Sequence, residues 1–137
     1  MQPDRPGQNE ARIPIHGDPD IVRARQAARE LASRVGFSAT DLTVIATAVS
    51  EIARNIVRFA GSGELIIELL DDPRPGLRMV ARDNGPGIPD VQRALADGYS
   101  TYKGLGLGLP GARRLMDEFS VTSDVDRGTT VTMIKWR

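Results

Sequence analysis

Thr47-Ala-Val-Ser-Glu51-Ile-Ala-Arg-Asn55 lies in the middle of the long helical pattern that decides the fold of this chain. Glu51 and Asn55 are four residues apart, so they share one helix face beside the apolar stripe. That position suits side chains lining a pocket, but E-x-x-x-N is a common spacing. The helix alone favours a solvated face with Glu51 paired to Arg54. The stripe has the i, i+3, i+4, i+7 spacing of an amphipathic helix and consists of Leu42, Ile45, Ala46, Val49, Ile52, Ala53, Ile56 and Ala60.

The length of 137 residues predicts one domain, large enough to bury a hydrophobic core. We expect residues 10–137 to form this domain and the polar residues 1–9 to be a loose N-terminal arm. Lys+Arg and Asp+Glu both number 18, and this zero net charge argues against a non-specific nucleic-acid binder. The chain has no apolar run long enough to span a membrane and no signal peptide, so we expect a cytoplasmic protein without a nucleic-acid or membrane partner.

Metal-binding residue types are scarce. The absence of cysteine excludes disulfides and thiolate metal sites. The single histidine, His16, argues against a histidine-based metal cluster, and we expect it to be a polar residue at a strand end.

The periodicity along the chain predicts the element order βααββααββ. Because strands and helices do not strictly alternate, we expect an α+β sandwich with one mixed, largely antiparallel sheet and helices on one face. Pro14 would place the first strand at a sheet edge. The predicted elements are a strand at 11–15, helices at about 18–35 and 38–61, strands at 64–70 and 77–82, helices at about 90–96 and 109–119, and strands at 121–124 and 129–136.

Capping signals mark the ends of the first two helices. Asp18 before Pro19 is the expected N-cap of the first helix, and Gly36 is its expected stop. Ser38, with Asp41 three residues later, resembles a capping box and opens the central helix.

Three glycine-centred loops follow the central helix, and the first is Asp83-x-Gly85-x-Gly87. A carboxylate at the end of a strand can accept a hydrogen bond from an exocyclic amine. A glycine four residues later, Gly87, lets a flat ring approach the backbone closely. The alternative is an ordinary turn, because the stretch is rich in turn residues.

The second loop, Gly104–Leu109, alternates glycine and leucine before a helix. Its exposed N–H groups and the helix dipole suit a phosphate, whereas the alternative is a flexible loop with a tight helix start. It is neither a P-loop nor a dinucleotide fingerprint, because no G-K-[ST] follows and no βαβ unit surrounds it. The third loop, Gly128-Thr129-Thr130, leads into the last strand and alone is equally typical of a hairpin turn.

These four motifs in this order resemble the N, G1, G2 and G3 boxes of the GHKL ATPase family, which includes histidine-kinase catalytic domains, gyrase B, Hsp90 and MutL. The resemblance covers residues 11–137 and implies the Bergerat fold, a two-layer sandwich. Residues 50–55, 97–101 and 104–119 resemble the RsbT-type serine/threonine switch kinases of the bacterial stressosome, which are related to the RsbW and SpoIIAB anti-sigma kinases.

The resemblance implies roles for the residues that match the boxes. Glu51 is the expected general base, and Asn55 the expected Mg²⁺ ligand through its amide oxygen. Asp83 is expected to bind the adenine amine, with Gly87 beneath the ring and Gly85 in the same loop. Thr129 is expected to support the site through its hydroxyl.

The second loop is expected to wrap the phosphates of ATP as a lid. Its residues are Gly104, Leu105, Gly106, Leu107 and Gly108. Lys103 departs from the family pattern, because a small residue is expected before the glycine run, and it receives no role.

The resemblance also implies an activity, with ATP and Mg²⁺ as cofactors. The expected function is an ATP-dependent protein serine/threonine kinase for STAS-domain stressosome scaffold and antagonist proteins, RsbS- and RsbR-like. The kinase would then signal to a downstream output enzyme such as a PP2C-type phosphatase. The alternatives are a nucleotide-dependent anti-sigma-type module that acts by sequestration and a domain without nucleotide. The chain has no H-R-D, D-F-G or V-A-I-K motif, so it is not an ordinary protein kinase.

Overall fold

In a computed structural model of the protein, the described residues are 9–88, 90, 95 and 108–137. They form an α+β fold, as predicted. Its elements are β1 Glu10–Ile15, α1 Asp18–Val35, α2 Ala39–Asn55 with a π-helical turn Ile56–Ala60, β2 Gly63–Leu70, β3 Gly76–Asp83, α3 Leu109–Leu115, β4 Glu118–Asp124 and β5 Gly128–Trp136.

The five strands form one sheet in the order β1-β2-β3-β5-β4. The sequence predicts a mixed, largely antiparallel sheet, and the pairings between the described strands are all antiparallel. β1 lies at one edge of this sheet, where Pro14 is tolerated because an edge strand leaves some N–H groups unpaired. β4 lies at the other edge, beside the β5 strand with which it forms a hairpin.

The hydrophobic core lies between the sheet and the helices. Alternate residues of the strands are buried together with the apolar stripes of α1 and α2, as the two periodicities require. The predicted stripe of α2 is buried at Ile45, Ala46, Val49, Ile52, Ala53 and Ile56, whereas Leu42 and Ala60 are only partly buried. This packing places the C-terminal half of α2 against the sheet.

The start of α1 differs from the prediction by one residue. Gly17 is the N-cap and Asp18 is the first helical residue, with Pro19 in the first turn. Asp20, not Asp18, binds the backbone just before the helix: its Oδ2 accepts from the His16 N–H at 2.9 Å. At the other end the prediction is confirmed: Gly36 ends the helix in the left-handed conformation, with φ of 95°.

The predicted start of α2 is confirmed, but the helix ends earlier than predicted. Ser38 is the N-cap, and its Oγ accepts from the Asp41 N–H at 3.1 Å. The α-helix ends at Asn55, and Ile56–Ala60 continue as one π-helical turn rather than as the predicted α-helix. Such turns occur often at functional sites. Here the turn follows directly on a predicted metal ligand.

The predicted helix 109–119 is too long. α3 ends at Leu115, and Phe119 lies in β4, which begins three residues before the predicted strand. Pairing with β5 explains the change: the Asp117 N–H donates to the Ile134 carbonyl at 3.0 Å, and Phe119 pairs with Met133. The ladder hydrogen bonds therefore override the helical periodicity of the stretch.

Some predicted elements lie outside the described residues. Of the expected N-terminal arm only Asn9 is described, and its carbonyl accepts from the Leu69 N–H at 2.7 Å. Of the expected helix at 90–96 only residues 90 and 95 are described. Among the described residues, no helix combines the length and the apolar character that crossing a membrane requires.

Candidate functional site

A cleft opens between the C-terminal part of α2 with its π-helical turn and the facing ends of β3 and β5. A mostly apolar cleft with a few polar groups suits a flat organic ring. Four predicted site residues line it: Asn55, Asp83, Gly87 and Thr129. The remaining lining residues are Ile52, Ile56, Phe59, Ala60, Ala81, Pro86, Ile88, Leu109 and Val131.

Asp83, the last residue of β3, supplies the carboxylate of the cleft. Its Oδ1 accepts from the Gly85 N–H at 2.9 Å and from the Thr129 N–H at 3.3 Å. These two bonds fix the orientation of the half-buried carboxylate. They do not use Oδ2, which is left to accept a hydrogen bond from a ligand.

The loop after Asp83 is held by backbone packing against the β4–β5 hairpin. The Pro86 carbonyl accepts from the Asp126 N–H at 2.7 Å. Gly87 has φ of 78°, and a Cβ there would overlap the Asp124 carbonyl. The sequence indicated a glycine for close approach of a ligand ring. In the structure the protein itself also requires a glycine at this position, because the backbone of the hairpin lies against it.

A hydroxyl cluster, Ser123 with Thr129, joins the same loop to the hairpin. The Ile88 N–H donates to Ser123 Oγ at 2.7 Å, and Ser123 Oγ lies 2.8 Å from Thr129 Oγ1. Ser123 Oγ also lies 3.1 Å from the Gly128 carbonyl. Thr129 was a predicted site residue, whereas Ser123 was not.

Asn55 and Glu51 lie at different places relative to the cleft. Asn55 lines it, and its side-chain oxygen Oδ1 is buried. Glu51 lies one helical turn earlier and is half-buried, outside the residues that line the cleft. The ion pair with Arg54 that a solvated face would predict is present, with Arg54 Nη1 at 2.9 Å from Glu51 Oε1.

Gly108, the residue before α3, connects the second glycine loop with Glu51. It has φ of 67°, and a Cβ there would overlap Glu51 Oε2. The Glu51 carboxylate therefore lies between Arg54 and the backbone at Gly108. Gly104, Leu105, Gly106, Leu107 and Lys103 are outside the described residues.

The residues present fit a magnesium ion held together with a phosphate group. Among the described residues, no group of three or more His, Asp and Glu side chains converges to hold a metal. Asn55 lines the cleft and would offer its buried Oδ1 as a neutral oxygen ligand. Mg²⁺ accepts such a ligand when phosphate oxygens and water complete its octahedron.

Sequence reasoning missed the apolar wall of the cleft and the Ser123 contact. Phe59 follows Asn55 by one helical turn, so helical spacing was a usable signal for it. Ser123 carries no such signal. Its contact to Ile88 spans 35 residues, and it depends on how the hairpin docks onto the loop.

The fold and the site define a histidine kinase-like ATPase. Residues 16–135 match the family described as the histidine kinase-like ATPase domain, and the chain belongs to this family.

Among its relatives, the chain is similar to the serine/threonine-protein kinase RsbT of Bacillus subtilis, with 51% identity over 118 residues, 85% of this chain and 89% of the relative. It is also similar to the anti-sigma F factor of Geobacillus stearothermophilus, with 29% identity, covering 82% and 81% of the two chains. The anti-sigma F factor of Geobacillus kaustophilus is 32% identical and covers 69% of each.

Proposed function

We propose that this protein is an ATP-dependent protein serine/threonine kinase. The observation that carries the proposal is the placement of Glu51, one turn before the cleft residue Asn55 and against the backbone at Gly108. A carboxylate at this position would accept the proton of an attacking hydroxyl. The phosphates of ATP would lie beside it, at the end of the cleft where Asn55 is. The identity to a relative named as a serine/threonine kinase supports the same activity.

The adenine ring would occupy the apolar part of the cleft. Asp83 Oδ2 would accept a hydrogen bond from the exocyclic amine, because Oδ1 is already occupied by two backbone N–H groups. Ile52, Phe59 and Ile88 would cover the ring, which explains why the wall is apolar.

Phosphoryl transfer would take place where Asn55 and Glu51 lie one turn apart. Asn55 would hold Mg²⁺ through Oδ1, and the metal would neutralise charge on the phosphates. Glu51 would accept the proton of a partner's Ser or Thr hydroxyl. The hydroxyl oxygen forms a bond to the γ-phosphorus, the bond to the β–γ bridging oxygen breaks, and ADP leaves. The N–H groups of 104–108 would bind the phosphates.

Arg54 would keep the Glu51 carboxylate in position before a partner docks. The pair is half-exposed, so its contribution to the stability of the fold is small. Glu51 also borders a groove between α1 and α2, which Arg25 and Arg29 line as well. A partner's hydroxyl would reach Glu51 from this side.

The partners would be STAS-domain stressosome proteins, and the output a PP2C-type phosphatase or another enzyme. A second function is favoured by the anti-sigma F factors among the relatives: a nucleotide-dependent module that sequesters a protein. Glu51 favours catalysis over sequestration, because holding a partner requires no base.

A phosphotransfer assay tests the proposal. We expect purified protein with Mg²⁺ and ATP labelled at the γ-phosphate to transfer label to a Ser or Thr of a STAS-domain protein encoded beside it. Omitting Mg²⁺ should abolish the transfer. A stable, ATP-dependent complex that transfers no label would instead establish sequestration.

Replacing Asp83 by Asn is expected to weaken ATP binding while the fold survives. The Asn carbonyl can still accept from Gly85 and Thr129, but the amide then presents a donor to the adenine amine. This mismatch should cost about 1–3 kcal/mol, and hence at least several-fold in affinity measured by calorimetry.

The matched control for this variant is Asp124→Asn, because Asp124 is exposed in the neighbouring hairpin and its carboxylate does not line the cleft. It should bind ATP as the unmodified protein does. Unchanged affinity in Asp83→Asn would remove adenine recognition from this carboxylate.

A further inference from the structure

Ser123 Oγ makes three polar contacts but carries only one proton. This limits which donors and acceptors the hydroxyl cluster can present to a ligand. Ser123 Oγ contacts the Ile88 N–H at 2.7 Å, Thr129 Oγ1 at 2.8 Å and the Gly128 carbonyl at 3.1 Å. The Ile88 contact uses a lone pair of Ser123, because an N–H can only donate. The Gly128 contact uses its single proton, because a carbonyl can only accept.

The remaining contact is then determined. Ser123 has no second proton to give, so the Thr129 hydroxyl must donate to Ser123 Oγ. This is the arrangement in which all three contacts are hydrogen bonds. Thr129 therefore presents only lone pairs to the cleft that it lines.

The neighbouring Asp83 carboxylate also presents only hydrogen-bond acceptors to the cleft. Asp83 Oδ1 receives the N–H groups of Gly85 and Thr129, and the ionised carboxylate has no proton to donate through Oδ2. The polar wall formed by Asp83 and Thr129 thus consists of acceptors alone. At position 6 an amino purine brings two donors to such a wall, whereas an oxo purine brings an acceptor there and has its nearest donor at N1–H, so only the amino group can donate to both residues from that position.

We propose that Ser123 is the specificity-determining positioning residue of the nucleotide site: by holding the Thr129 proton, it makes the cleft select a 6-amino purine over a 6-oxo purine. The inference rests on the proposed adenine site. Without Ser123 the Thr129 hydroxyl turns freely, so it donates to a 6-oxo group and still accepts from a 6-amino group. Discrimination falls because the 6-oxo purine gains a hydrogen bond.

The test is calorimetric binding of Mg·ATP and of Mg·ITP, whose base carries the 6-oxo group. In Ser123→Ala the ATP:ITP affinity ratio should fall about fivefold, the equivalent of one regained hydrogen bond. Loss of the Ile88 contact weakens the binding of both nucleotides and cancels in the ratio. Ser123→Thr, which keeps the hydroxyl, should retain the ratio of the unmodified protein.

Further variants separate this role from simple packing. In Ser123→Ala combined with Thr129→Val the freed hydroxyl is absent, so the ratio should return towards that of the unmodified protein. Ser120→Ala, at an exposed position of the same strand, should change nothing. If Ser123→Ala does not fold, Ser123→Cys retains the size of the side chain with a weak donor and should lower the ratio in the same direction.

The outcomes are distinguishable. ATP binding with an unchanged or raised ATP:ITP ratio in Ser123→Ala or Ser123→Cys overturns the role of Ser123 and leaves the adenine site intact. Unmodified protein that binds neither triphosphate overturns the nucleotide site, and the inference fails with it. A ratio that stays low in the double variant shows that Thr129 is not the group that Ser123 controls.

Discussion

Replacing Glu51 by Ala is expected to lower the rate of phosphoryl transfer to the proposed STAS-domain substrate by about 10²–10⁴, the usual contribution of a general base. The affinity for Mg·ATP should stay within a few-fold, because Glu51 lies outside the residues that line the cleft. Its proposed partner is the attacking hydroxyl, which arrives only with the protein substrate. Single-turnover transfer of labelled phosphate and calorimetric binding measure the two effects separately.

Glu30→Ala is the matched control for this prediction. Glu30 is also a helical glutamate in an exposed ion pair, with Arg34 one turn further along α1 at 3.1 Å. Its loss removes a charge pair of the same type at a residue that lines neither the cleft nor the groove beside Glu51, so transfer should continue at the unmodified rate. If Glu51→Ala transfers phosphate as fast as the unmodified protein, the assignment of Glu51 as the base is wrong.

Replacing Gly128 by Ala is expected to destabilise the fold and to impair nucleotide binding at the same time. Gly128 has φ of 109°, and its Cβ would overlap the backbone carbonyl of Asp83. The β3–β5 pairing must then open where Asp83 and Thr129 meet. Urea unfolding should show a loss of several kcal/mol, about 1–3 from the backbone conformation and a similar amount from the overlap.

Gly61→Ala separates these two contributions. Gly61 has φ of 85°, but a Cβ there would meet nothing within 4 Å. Only the conformational cost applies, so Gly128→Ala should be less stable than Gly61→Ala by roughly 2 kcal/mol. Equal losses in the two variants would show that the sheet accommodates the added methyl group without opening.

The patterns that predicted the fold correctly are local. The stripe of α2, the N-cap Ser38 and the stop Gly36 depend on neighbours within one or two helical turns. Hydrophobic periodicity and capping chemistry act over that range, so they are readable before the chain is folded. The order of the glycine loops likewise predicted the family, which the match over residues 16–135 confirms.

One error occurs where a distant pairing overrides a local preference, and the other where a local hydrogen bond does. The stretch after Leu115 has helical spacing, but β5 recruits it into the sheet. Asp18 is a good N-cap residue, yet the helix begins one residue earlier, where Asp20 accepts a backbone N–H. In both cases hydrogen bonds formed on folding decide between conformations of similar local energy.

By itself, the sequence determined the type of most elements and the residues Asn55, Asp83 and Thr129 that the cleft brings together. It did so because periodicity and motif order are properties of the chain. Only the tertiary structure decided that Gly87 packs under the Asp124 carbonyl and that Ser123 accepts from the Ile88 N–H. These contacts join segments about 35 residues apart. Their geometry exists only after the hairpin has docked, because a hydrogen bond requires placement within a few tenths of an ångström.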